Sequence, residues 1–96
     1  MEWTVSGEVI EWRGPSPYVF LPMTVEDSAD LKAEAAGLEY WGQVAVAVEL
    51  GATTFSTALF PQGDRYVLPL RAAVRKAEEV EIGMRVVARV RVRSDR

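Results

Sequence analysis

Residues 41–60 read WGQVAVAVELGATTFSTALF, and this stretch decides the fold. Val44, Val46, Val48 and Leu50 alternate with Gln43, Ala45, Ala47 and Glu49. Successive side chains on a strand point to opposite faces, so a period of two turns one apolar row toward a core and leaves the other row outside. Gly51 and Ala52 turn the chain, and Thr53 to Phe60 returns as a second strand, which makes the pair a hairpin.

The same reading extends outward on both sides. Toward the C-terminus, Pro61 to Asp64 (PQGD) forms a turn, and Tyr66 to Leu70 is a short strand interrupted by Pro69. A short helix over Arg71 to Glu79 follows. Leu70, Ala73, Val74 and Ala77 lie on one face at helical spacing, with Arg71, Arg75 and Lys76 off that stripe. Gly83 turns the chain into a last strand over residues 85–93, in which Val86, Ala88, Val90 and Val92 oppose Arg85, Arg89, Arg91 and Arg93. Toward the N-terminus, Thr24 followed by Asp27 matches a capping box, in which the hydroxyl accepts a backbone N–H of the first turn. The helix it opens runs from Val25 to about Ala36, with Leu31, Ala35 and Leu38 facing inward and Gly37 as its stop. Before it, Tyr18 to Leu21 is a strand ended by Pro22, and Arg13 to Pro17 (RGPSP) is a loop. Residues 3–12 form the first strand. Trp3, Val5, Gly7 and Val9 share one face and Ile10 and Trp12 take the other, which calls for a bulge or twist between Gly7 and Ile10.

The chain is therefore mainly β, with two short helices. Five or six strands with alternating faces predict a small closed or nearly closed β-barrel, occupying residues 1–96 as a single domain. Two segments share a plan: YVFLPMTVEDSADLKAEAAG with WGQVAVAVEL, and YVLPLRAAVRKAEEVEIG with MRVVARVRV. Each is a short strand with proline, a helix, a glycine and an alternating strand. The repeat predicts two half-units packed about a pseudo-two-fold axis in a double-psi-like barrel, since one half could not bury its own apolar face.

Composition excludes several kinds of chemistry. At 49% hydrophobic and 26% charged, the chain is too apolar to remain disordered. It has no cysteine, hence no disulfide framework, thiolate nucleophile or cysteine-bound metal, and no histidine, hence no imidazole base or ligand. No EF-hand-like loop is present, and no metal site or cofactor is expected. The start, MEWTVSGEVIEW, lacks the features of a signal peptide, and no apolar run approaches a membrane span, so a cytoplasmic protein without membrane contact is expected. The net charge is −3; residues 1–48 carry eight acids and two bases, residues 49–96 six acids and nine bases. The acidic total argues against nucleic acid as a partner, while the asymmetry suits contact between halves or between chains. A monomer and a homodimer both remain open.

Beside this reading stands a family resemblance. Leu59, Phe60 and Pro61, then Leu68 and Pro69, then Val74, Arg75, Lys76 and Ala77, then Gly83 follow the pattern of the family called domain of unknown function 1905. Trp12, Arg13, Gly14 and Pro15 resemble its tryptophan–arginine–glycine–proline loop, and Trp41, Gly42 and Val44 its tryptophan–glycine strand start. The family usually has aspartate after the glycine where this chain has Met84. The resemblance covers nearly the whole chain and implies a small β-barrel of bacterial or archaeal type with no established activity. The helix-and-glycine run is also similar, more loosely, to AbrB-type swapped-hairpin regulators, a likeness of barrel construction.

Three groups of residues are candidates for function. Trp12, Arg13 and Tyr18 flank the proline-rich loop, and Trp41 starts a strand; aromatics beside an arginine can form a ligand or peptide pocket, or instead plug the ends of a barrel. Arg71, Arg75 and Lys76 could engage phosphate or an acidic partner, or form a solvated helix face. Arg89, Arg91 and Arg93 could touch nucleic acid, protect an edge strand, or pair with acids across the sheet. Ser56 and Thr57 have no base to activate them, and no pair of carboxylates has a spacing that suggests acid–base work. The expectation is a non-enzymatic binding module for a small molecule, peptide or partner protein. A nucleic-acid-binding regulator is the alternative.

Overall fold

The computed structural model describes residues 2–12, 18–39 and 42–93. In chain order these form Glu2–Glu8 (β1), Ile10–Trp12 (β2), Tyr18–Pro22 (β3), Val25–Glu34 (α1), Val44–Leu50 (β4), Thr53–Gln62 (β5), Arg65–Pro69 (β6), Ala72–Glu78 (α2) and Arg85–Val92 (β7). The seven strands lie in the order β1-β7-β4-β5-β6-β3-β2, every neighbouring pair antiparallel, and curve into a half-barrel that carries the two helices. The two ends of this order are successive pieces of one chain segment, separated only by Val9. Val9 is buried, its N–H donates to the Met84 carbonyl and its carbonyl accepts from Gly83 N–H, both at 2.8 Å. This corner is the break expected between Gly7 and Ile10.

The helix ends follow from local chemistry. Thr24 Oγ1 accepts the Asp27 N–H at 3.1 Å, as the capping pattern requires. The helix α1 stops at Glu34, two residues before the expected end, because Ala36 N–H turns back to the Ala33 carbonyl in a tighter turn and Gly37 takes φ +86°. The helix α2 ends on Glu79 at φ 53°, with Val80 N–H reaching the Arg75 carbonyl, a Schellman arrangement without the usual glycine. At the β4–β5 turn, Gly51 has φ +59°, and a Cβ there would collide with the Glu78 carboxylate, which also accepts from Thr53 Oγ1 at 2.5 Å. The end of α2 is thereby fixed to the hairpin.

The alternating rows predicted for the hairpin and the last strand face the core. Val44, Val46, Val48 and Leu50 pack with Trp3, Val5, Leu59, Ala88 and Val90, and the helices add Leu31, Ala35 and Val74. The ladder between β3 and β6 is centred on Leu21 opposite Leu68. It is extended at one end by Met23 N–H to the Tyr66 carbonyl and at the other by Leu70 N–H to the Val19 carbonyl, at 3.0 and 2.9 Å. β7 is an interior strand between β1 and β4, so edge protection does not account for its arginines. No helix among the described residues is long and apolar enough to cross a membrane.

Candidate functional site

The sheet has two different outer faces. Over β1, β7, β4 and β5 the outward residues form a polar ladder: Glu2 opposite Arg91 and Arg91 opposite Ala47, then Thr4 opposite Arg89 and Arg89 opposite Glu49. Arg89 and Glu49 form an ion pair, so this arginine of the row meets an acid across the strands, and Arg91 stands opposite Glu2 in the register. A groove of about 300 Å³ on this face contains Glu2 and Glu49 as well as Arg89 and Arg91.

Over β2, β3, β6 and the end of β5 the outer face is aromatic. Trp12 stands opposite Tyr18 and Ile10 opposite Phe20; Phe20 also faces Pro69, and Phe60 faces Val67. Residues directly opposite in an antiparallel pair project to the same side. Val19 and Leu21 turn inward to the core, so Tyr18 and Phe20 turn outward. Phe20 and Val67 are fully buried and yet lie outside the main core cluster. They form a second apolar layer on the far side of the sheet. Phe20 and Phe60 meet edge-to-face with centroids 5.1 Å apart. Tyr18 stacks over Phe20 at 5.9 Å and is in edge-to-face contact with Phe60 at 6.2 Å. Trp12 lies beyond it at 6.4 Å, inclined by 27°. Exposure rises along this row, from Phe20 at 1% to Trp12 and Tyr18 at 45% and 47%.

A hollow of about 390 Å³ opens beside these rings, with Tyr18, Gln43, Thr57, Phe60, Pro69 and Arg71 in its lining. The structure thus brings together three of the residues singled out in the sequence: Trp12 and Tyr18 as a ring pair, and Arg71 on the wall of the hollow that Tyr18 lines. Arg71 is exposed and forms no ion pair among the described residues. Arg75 points elsewhere: its Nε donates to the Leu70 carbonyl at 2.9 Å, tying the helix to the end of β6. Lys76 is exposed and does not line the hollow. Arg13 and Trp41 lie outside the described residues. Phe20, Phe60, Gln43 and Thr57 were not among the candidate ligand-binding residues read from the sequence. Tyr18 and Phe20 at i and i+2, with Phe60 one residue out of phase with the buried Leu59, were the available signal.

A second hollow, of about 340 Å³, lies between α1 and the β5–β6 turn and is lined by Val25, Ser28, Lys32, Asp64, Arg65 and Tyr66 among others. One of its polar side chains serves the fold: the buried Ser28 hydroxyl accepts from the Tyr66 N–H at 2.9 Å. Burial pushes the Tyr66 phenol above its ordinary value of 10.0, and the Glu39 carboxylate adds to the shift. No group of three or more acids among the described residues could hold a metal ion.

Residues 6–90 match the protein family described as Domain of unknown function (DUF1905). No curated protein matches the chain.

Proposed function

Starting from a chain that belongs to the family Domain of unknown function (DUF1905), we propose that it is a cytoplasmic, non-enzymatic binding module. Its recognition surface is the aromatic outer face together with the hollow beside it. The observation that carries this reading is the exposure of Trp12 and Tyr18. Both rings are nearly half open to solvent on a sheet face whose inner rings, Phe20 and Phe60, already supply the packing. A contiguous exposed aromatic patch is a costly surface for a protein of this size and marks interaction sites. A chain without histidine or cysteine has no imidazole or thiol to perform chemistry there.

The half-barrel itself reads as a barrel of two half-units about a pseudo-two-fold axis. The paired bonds Met23 to Tyr66 and Leu70 to Val19, on either side of Leu21 and Leu68, support that reading. In the same way Val48 stands opposite Val90 in the ladder between β4 and β7.

A fragment library screened by protein NMR tests the proposal. The expected shifts cluster at Trp12, Tyr18, Phe60 and Arg71. Shifts confined to the Glu49 and Arg89 groove, or none at all, overturn it.

A further inference from the structure

The charges around the hollows of this surface differ in one respect. The groove on the polar ladder carries Glu2 and Glu49 beside its arginines. The hollow under α1 carries Asp64 beside Lys32 and Arg65. A third, between β1 and β3, carries Glu8 beside Arg65. In each, at least one acid stands in the lining beside the bases. The hollow beside the aromatic face has Arg71 in its wall and no acid in its lining. Arg71 has no carboxylate partner among the described residues. Its guanidinium therefore stands ready for an external anion, in a hollow that Tyr18 and Phe60 also line.

Resting on the binding reading above, we infer that the ligand of this hollow is a small planar aromatic anion. Its ring lies against Tyr18 and Phe60, and its carboxylate or phosphate is held by Arg71. Ring systems prefer offset-stacked or edge-to-face contacts at centroid separations of roughly 4.5–7 Å, and Tyr18 and Phe60, themselves in edge contact at 6.2 Å, both line the hollow, where a third ring can join them. A guanidinium matches the two oxygens of a carboxylate or phosphate with parallel hydrogen bonds. Gln43 and Thr57 supply the remaining hydrogen-bonding groups in the wall, able to fix the ring's own polar substituents. The volume of about 390 Å³ falls at the small end of the range of ligand sites, roughly 300–1,000 Å³. It is suited to one ring system with a charged group and too small for an extended chain. An aromatic carboxylate and a nucleoside monophosphate share this chemistry.

The test uses four probes on the full chain: 4-hydroxybenzoate and its neutral amide, and adenosine monophosphate and adenosine. Each is titrated by NMR against the unsubstituted protein and against Arg71→Gln. The expected result is that at least one anion binds about tenfold or more tightly than its neutral counterpart, with shifts at Tyr18, Phe60 and Arg71. Arg71→Gln, whose spectrum shows that it stays folded, brings the pair to parity. Which anion binds separates the carboxylate from the nucleotide. Equal binding of anion and neutral probe, an anion preference that survives Arg71→Gln, or no binding by any of the four overturns the ligand class. In each of these outcomes, fragment shifts at Trp12 and Tyr18 would leave the binding surface itself standing; their absence as well would remove both.

Discussion

The two outer faces of the one sheet handle solvent in opposite ways. Over β1, β7, β4 and β5, charged side chains stand opposite one another and neutralise their neighbours, as Arg89 does with Glu49. Over β2, β3, β6 and the end of β5, rings stack outward from a buried Phe20 to a half-exposed Trp12. The first face solves the problem of being a surface. The second leaves rings exposed beside an arginine without an ion-pair partner among the described residues, and that contrast is what supports the proposed binding surface. On the proposed reading the difference also separates stability from function: the buried inner rings of the aromatic face hold the fold and the half-exposed outer two meet the ligand.

Substitutions on the two faces should therefore differ in size as well as in kind. The largest effect belongs to the buried end of the aromatic row. Phe20→Ala removes a fully buried ring between Tyr18 and Phe60 and should cost about 3–5 kcal/mol in urea unfolding. A cost below ~1 kcal/mol would show that the second apolar layer is loosely packed. Next comes the turn of the polar half. Gly51→Ala places a Cβ in a left-handed conformation and against the Glu78 carboxylate. The backbone alone costs about 1–2 kcal/mol, and the loss of the Thr53–Glu78 bond adds to it. The smallest effect lies on the ladder. The Arg89–Glu49 pair is exposed, and a double-mutant cycle with Arg89→Ala and Glu49→Ala should give a coupling below about 1 kcal/mol that fades with salt. A larger coupling would mean that the polar face is structural in the sense that the aromatic face is.

Much of this arrangement was legible in the sequence. Alternation placed Val44 to Leu50 and Val86 to Val92 correctly against the core, because burial on one face imposes a period of two. The Thr24 cap was legible because its chemistry is local. Strand order was not. Nothing in a single strand's pattern says that β7 lies between β1 and β4, or that Phe60 approaches Phe20 across β6. These are long-range pairings, set by how the whole chain packs. The same limit explains the candidate site. Trp12, Tyr18 and Arg71 were visible as residue types, but Arg75 shared the helix with Arg71 and looked equivalent. Only the fold shows that Arg75 reaches the Leu70 carbonyl while Arg71 lines the hollow. The sequence predicts a closed or nearly closed barrel and the described strands form a half-barrel; counting alternating strands gives no register around the ring from which closure could be read.

The most direct test of the division between holding the fold and meeting a ligand is a single double variant, Trp12→Thr with Tyr18→Thr, compared with Phe20→Ala in the same unfolding and titration experiments. Threonine keeps the strand propensity of both positions. The account predicts that the double variant loses no more than about 2 kcal/mol, clearly less than Phe20→Ala, because both rings are nearly half exposed. It should also lose the ligand-induced shifts at Phe60 and Arg71. A loss of stability equal to or greater than that of Phe20→Ala, or ligand shifts that persist without the two rings, would contradict it: Trp12 and Tyr18 would then be a plug in the barrel wall.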